Sequence, residues 1–141
     1  MTAYLDASVL LPIIVDEPAS QLVDRFMEGW TDRLFVSDFA AAEVASALSR
    51  LMRMHLIADV DARERLADFD SWRAGGTDPI DVQPADVRLA NVFVRRFELM
   101  LRAPDALHAA LCRRNDMTLV TLDRRLADAA GQLGVDVHVP A

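Results

Sequence analysis

The chain has no lysine: all 15 of its basic residues are arginine. A GC-rich genome that favours arginine codons accounts for the bias, but the absence still excludes every active site that requires a lysine. Cysteine is almost as scarce. Cys112 stands alone, so no internal disulfide can form and no second thiol exists to build a cysteine-based metal site; its Ala-rich surroundings mark it as core. Long apolar runs are also missing. The longest near the N-terminus, Val9 to Val15, is interrupted by Pro12 and falls short of the roughly 20 residues a membrane span needs. The opening MTAYLDAS carries no positive side chain ahead of that run, unlike a secretory signal, so the expected compartment is the cytoplasm. No low-complexity segment or internal repeat is present.

What is there reads as globular: 52% hydrophobic and 26% charged residues, with only 5 Gly and 6 Pro. A length of 141 residues suits one core, so a single domain over 1–141 is expected. The net charge of −7 argues against a generic nucleic-acid coat protein, because phosphate binding is normally dominated by basic side chains.

Periodicity gives an alternating order of elements. Thr2 to Leu5 reads as a short strand ending at Asp6, followed by a helix capped by Ser8 that carries Val9 to Val15. Asp16, Glu17 and Pro18 end it, and a second helix runs from Ala19 to about Trp30 on the stripe Leu22, Val23, Phe26, Met27. Leu34 to Val36 is the next strand; Ser37 or Asp38 caps a long helix to about Met54, and another covers Asp61 to about Arg73. Gly75 to Pro79 reads as a loop before a strand at Ile80 to Val82. Helices follow over Ala85 to Leu101 and Pro104 to Arg114, then a strand at Thr118 to Leu122. A helix from Arg124 to Leu133, the Gly134 stop and a strand at Val135 to Val139 complete the chain. This order predicts an α/β fold, a three-layer α/β/α sandwich around a parallel sheet, with ligands at the carboxyl ends of its strands.

Four acids stand out. Asp6 and Asp123 each follow a strand and precede a helix, where a cap or turn role explains either one alone. Asp105 follows Pro104 in the first turn of a helix, a position the macrodipole favours for any carboxylate. Glu43 lies inside a helix and shares a face with Phe39, Ala40, Ser46 and Ala47. A carboxylate there is either turned to solvent or costly to bury without a partner, and no lysine exists to pair with it. Jointly the acids say more. Carboxylates gathered at one sheet edge repel unless a hard cation holds them, which points to Mg²⁺ or Mn²⁺ and to phosphodiester hydrolysis.

The segments YLDAS, SDFAAAEVASAL, RAPDALHAA, and LVTLDRRLADAA before a GVDVHV ending resemble, in this order and over essentially the whole chain, PIN domains and in particular the VapC-type toxins. The resemblance implies a PIN-like fold and a metal-dependent ribonuclease. It makes Asp6, Glu43, Asp105 and Asp123 the catalytic, metal-binding acids, with Ser8 and Thr121 as hydrogen-bonding members of the site. It further implies Mg²⁺ as cofactor with Mn²⁺ as a substitute, an RNA substrate, a small cognate antitoxin that blocks the site, and a homodimer such as related toxins commonly form. Thr121 lies two residues before Asp123, so on a strand both would face the same way; a helix cap at Ser8 and a plain β-former at Thr121 explain the two hydroxyls equally well.

Other conspicuous residues have structural readings. Asp128 reads as a solvated helix position, and His108, one turn after Asp105, as a packed or surface histidine. His55 and His138 carry no spacing signal. Trp30 and Trp72 lie near helix ends and read as packing residues, and Met52, Met54 and Met100 as core or partner-facing. Arg95, Arg96, Arg102, Arg113, Arg114, Arg124 and Arg125 flank the acids, where bidentate phosphate contacts and solvated helix faces are both compatible with the sequence. Two other functions compete. Phosphoryl transfer to Asp6, as in receiver-like α/β domains, fails for want of the lysine those families use. A catalytically silent PIN-like module acting through partner contacts is opposed by the intact set of acids.

Overall fold

A computed structural model describes residues 1–141. Its elements are β1 (Ala3–Leu5), α1 (Ala7–Ile14), α2 (Ser20–Gly29), β2 (Leu34–Ser37), α3 (Asp38–Arg53), α4 (Asp59–Gly76), β3 (Asp78–Ile80), α5 (Pro84–Val94), α6 (Ala103–Asn115), β4 (Thr118–Val120), α7 (Arg124–Gln132) and β5 (Val137–His138), with a 3-10 turn at Phe97–Leu99 before α6. All five strands are parallel and run in the order β3-β2-β1-β4-β5. The strand order reverses between β1 and β4, and it is outside the carboxyl ends of such a pair that open α/β sheets bind their ligands.

The central strands are buried on both faces, and their side chains divide between two cores. Ala3, Leu5, Val36 and Val120 pack with Val9, Leu10, Val23, Val44, Leu48 and Phe69 of α1 to α4. Tyr4, Phe35 and Leu119 point the other way, into Ala90, Phe93, Ala106 to Cys112, Leu126 and Ala130 of α5, α6 and α7. The alternation follows the period-two pleat, and each fully buried Val or Leu contributes about 1.5–3 kcal/mol. The result is the three-layer α/β/α arrangement that the element order predicts. Cys112 is buried in the second core, as its context implied, and burial pushes its thiol well above the usual range. No helix is long and apolar enough to cross a membrane.

Several boundaries differ from the sequence reading. Asp6, not Ser8, caps α1: its carboxylate accepts the Val9 amide, and Ser8 is the second residue of the helix. Pro12 sits within α1, as the helix read over Val9 to Val15 required. Gly75 and Gly76 belong to the last turn of α4, not to a loop, and Thr77 closes that turn by donating its hydroxyl to the Arg73 carbonyl. The third strand is therefore Asp78–Ile80 rather than Ile80 to Val82. Pro79 fits there because β3 is an edge strand, where a missing amide costs nothing on the open side. The helix expected over Ala85 to Leu101 ends at Val94, and Met100 takes a left-handed conformation with φ 56°. The strand expected over Thr118 to Leu122 stops at Val120.

Candidate active site

The edge where β1 and β4 end is stitched together by Asp6. Its Oδ1 accepts the Ser8 hydroxyl at 2.6 Å and the Val9 amide at 3.3 Å, while Oδ2 accepts the Thr121 hydroxyl at 2.6 Å. Each hydroxyl donates its one hydrogen to Asp6 and accepts a backbone amide in return: Ser8 from Leu122 at 2.9 Å, Thr121 from Asp123 at 3.0 Å. The turns after β1 and β4 are thereby joined. Thr121 and Asp123 do not share a strand face, since β4 has ended; the amide-to-hydroxyl bond orders that turn instead. Asp6 is nearly fully buried, and burial pushes its carboxyl up despite the opposing hydrogen bonds from Ser8, Thr121 and the Val9 amide.

Asp123 caps α7, with Oδ1 accepting the amides of Arg125 at 3.0 Å and Leu126 at 3.2 Å. Asp105 lies in the first turn of α6 and is half-buried. Burial raises its carboxyl first, and the neighbouring charge of Asp123 raises it further, with a smaller push from Glu43. Asp105 and Asp123 line one cavity of about 220 Å³ together with Arg102, Arg125 and the apolar turn Leu99 to Leu101. Glu43, on α3, lines a second and larger cavity of about 700 Å³ together with Leu11, Leu51, Arg50 and Arg53; Arg102 borders both.

Glu43 is partly exposed and not unpartnered. Its Oε1 lies 2.5 Å from Nε2 of His108, so the partner the sequence seemed to lack is a histidine on α6. His108 is packed, as one of its two readings held, but it is also connected on both sides. Its Nδ1 is 2.6 Å from the Tyr4 hydroxyl, which is 2.8 Å from the Ser37 hydroxyl, and Ser37 accepts the Ala40 amide at 3.0 Å. The sequence showed only that His108 is one helical turn after Asp105; its bonds to Glu43 and Tyr4 join residues 65 and 104 positions apart and had no local signal.

The four acids are therefore brought to one edge in two groups, without forming a closed cage: nowhere do three His, Cys, Asp or Glu side chains stand close enough together to hold an ion on their own. Asp123 Oδ2 and Glu43 Oε2 accept no hydrogen bond from the protein, and Asp6 Oδ2 accepts only one. An all-oxygen set with open positions fits a hydrated hard cation such as Mg²⁺, which keeps several waters and takes one or two carboxylates. Asp128 is exposed on α7, in keeping with a solvated position. Trp72 packs against Phe69, and Trp30 against Phe26 and His138, so both tryptophans serve packing. Met54 and Met100 are exposed rather than core, on the rims of the two cavities.

Most flanking arginines are already engaged. Arg114 pairs with Asp86, Arg96 with Glu98, Arg95 hydrogen-bonds Asn91, and Arg113 lies over Phe93. Arg102 and Arg125 are the two that line the acidic cavity.

The model of the PIN domain family matches residues 3–132. The chain belongs to the PIN domain family. This PIN domain is 28% identical over 141 residues to Ribonuclease VapC46 of Mycobacterium tuberculosis, covering 98% of this chain and 97% of that protein. Among solved structures it is similar to VapC20 of Mycobacterium tuberculosis, described as a toxin that cleaves the sarcin-ricin loop, with a TM-score of 0.74, 14% identity, and 90% and 94% of the two chains covered. It is also similar to the DNA-bound VapBC of Salmonella typhimurium, with a TM-score of 0.74 and 12% identity over 100% and 99% of the chains. At these identities the two structures establish the fold, and that fold is the one the parallel sheet above describes.

Proposed function

We propose that this PIN domain is a divalent-metal-dependent endoribonuclease that hydrolyses RNA phosphodiester bonds and acts as the toxin of a toxin–antitoxin pair. The observation that carries the proposal is the placing of Asp6, Glu43, Asp105 and Asp123 along the edge where β1 and β4 end, with only oxygen donors and open positions among them. The curated relative's name, Ribonuclease VapC46, supports the same activity.

In this reading the four acids would hold Mg²⁺, or Mn²⁺ in its place. When bound, the ion supplies a more acidic water and a Lewis acid for a phosphoryl oxygen. Asp6 is kept in place by the Ser8 and Thr121 hydroxyls, and Asp123 by the first amides of α7, so neither carboxylate has to be ordered when an ion arrives. Arg102 and Arg125, at the mouth of the same cavity, would bind phosphates of the RNA backbone and offset the repulsion of a chain with net charge −7.

The larger cavity, where Leu11, Leu51 and Met54 stand beside Glu43, Arg50, Arg53 and Arg102, would receive a segment of a small antitoxin. VapBC complexes among the similar structures support such a partner. A homodimer and a cytoplasmic location belong to the same proposal. To test it, purified protein with Mg²⁺ is incubated with cellular RNA and the new ends are sequenced. Discrete internal cuts are expected from the wild type, and none from Asp123→Asn, which retains the helix cap. Absence of cuts by the wild type, or equal cutting by both, would overturn the proposal; the former is what a silent binding module gives.

A further inference from the structure

Glu43 is the one acid of the four that does not sit at a strand end or in a helix's first turn, and it has no backbone amide to orient it. Its side chain is about 30% exposed and has three rotatable bonds. What restrains it is His108, an almost completely buried imidazole between the rings of Tyr4 at 5.5 Å and Phe39 at 5.6 Å. Neither ring nitrogen is idle. Packing alone would not require both to be engaged, nor a serine and a tyrosine aligned behind one of them.

The donors along this chain can be assigned from one end. Ser37 Oγ receives the Ala40 amide and keeps a second lone pair, but its own hydrogen has no acceptor other than the Tyr4 hydroxyl, so that hydrogen goes to Tyr4. Burial raises the Tyr4 hydroxyl far beyond its ordinary value, so it stays a phenol with one hydrogen to give. That hydrogen goes to His108 Nδ1, which leaves the ring hydrogen on Nε2, facing Glu43 Oε1. Every hydrogen then has one acceptor and none collide. The opposite tautomer would set a bare Nε2 against a carboxylate oxygen, lone pair to lone pair.

We propose that His108 is a positioning residue for Glu43: the Ser37–Tyr4 chain fixes the imidazole tautomer, and Nε2–H holds one carboxylate oxygen while leaving the other free for a cation. The inference rests on the metal-nuclease reading above. It adds a route by which residues with no oxygen to offer the ion govern its affinity, in the manner of outer-shell hydrogen bonds to metal-ligating carboxylates. Because Tyr4 belongs to β1 and His108 to α6, the same chain links the sheet to the helix that carries Asp105.

Two measurements test it. In the full chain labelled with ¹⁵N-histidine, long-range ¹H–¹⁵N correlation reads the tautomer directly. The wild type should show His108 with hydrogen on Nε2 and a hydrogen-bonded Nδ1, and Tyr4→Phe an Nδ1 signal moved by the loss of the Tyr4 hydrogen. A wild-type Nδ1–H tautomer, or a spectrum that Tyr4→Phe leaves unchanged, overturns the proposal. Calorimetric titration with Mn²⁺ then compares two amides of the same chemistry. His108→Gln places its NH₂ where Nε2 was and should bind within about threefold of the wild type, the scale of one altered hydrogen bond. His108→Asn reaches only the Nδ1 position and should lose about 10- to 100-fold. Equal affinities for the two variants would reduce His108 to packing. Should the wild type bind no Mn²⁺, the metal reading itself falls and the positioning role with it, while the tautomer spectrum still reports whether the chain of hydrogen bonds exists.

Discussion

Asp6 does three things with one side chain: it caps α1, receives one hydroxyl from Ser8 in that helix and another from Thr121, 115 positions away, and presents a buried carboxylate at the sheet edge. The raised carboxyl has a consequence for stability. Unfolded, the group titrates near 3.8, and folded it titrates higher. Between those values the native state holds more protons than the unfolded one, so this residue lowers stability as pH rises through the window. Asp105 acts in the same direction. Asp6→Asn should therefore be more stable than wild type at neutral pH without metal, and the gap should close as pH falls to about 3.8. Urea titrations at a series of pH values check this, and a gap independent of pH would contradict it. The same variant should lose at least about 100-fold in cleavage rate, since metal catalysis supplies several kcal/mol and each factor of ten is about 1.4 kcal/mol.

Glu43 gives a complementary prediction. Glutamine can still accept the His108 hydrogen, so Glu43→Gln should leave stability without metal unchanged or raised, while the Mg²⁺-induced rise in melting temperature shrinks. Thermal unfolding of both proteins with and without Mg²⁺ decides it: equal shifts would remove Glu43 from the metal site. The residue scale was also where the sequence was most ambiguous. Asp6, Glu43, Asp105 and Asp123 were legible as candidates, and Ser8 and Thr121 as the hydroxyls that the structure sets against Asp6. The His108 partner of Glu43 was not, because a contact between α3 and α6 depends on how two helices pack across 65 positions of sequence.

At the scale of elements, the alternating pattern was readable wherever a strand or helix was long or bounded by a clear cap, such as Ser37 at α3 and Gly134, with φ 80°, after α7. It failed where tertiary packing outweighed local preference. The break after Val94 is one such place. Phe93 and Leu99 are both buried, yet six residues of continuous helix would turn Leu99 about 120° away from Phe93. Ending the helix and re-entering through the 3-10 turn lets both reach the core, and it leaves Leu99 to Leu101 beside the acidic cavity. The two glycines of α4 were misread for a related reason: Arg73 anchors that last turn by reaching Asp38 at 2.7 Å, beyond local sequence.

The clasp between α5 and α6 is a second element-scale feature. Asp86 is fully buried; burial raises its carboxyl, but Arg114 and the Gln83 amide outweigh that and hold it below the usual range. The same side chain closes the capping box of α5. Asp86→Ala removes the cap and leaves Arg114 without its carboxylate, at a cost of about 3 kcal/mol, the lower end for a buried pair because Arg114 can reach solvent. Denaturant midpoints should show that loss while RNA cleavage by the folded fraction persists. A stability change under about 0.5 kcal/mol, typical of plain surface substitutions, would show that the clasp contributes little.

For the molecule as a whole, the parallel order β3-β2-β1-β4-β5 places the crevice between β1 and β4, and Asp6 and Asp123 meet there because the loops after those two strands must, while α3 and α6 bring Glu43 and Asp105 to its flanks. On the proposed reading an acidic protein confines its attraction for RNA phosphate to a small area, and Arg102 and Arg125, the latter also donating to the Met100 carbonyl at 3.3 Å, line the cavity where that attraction would act. The central claim is that these carboxylates act through a hard cation. It is tested most directly by following RNA cleavage after exhaustive chelation and dialysis, and again after Mg²⁺ is returned. The account predicts that cleavage is lost on chelation and restored by Mg²⁺ in the wild type, and stays absent in Asp6→Asn; undiminished cleavage by the chelated wild type would contradict it.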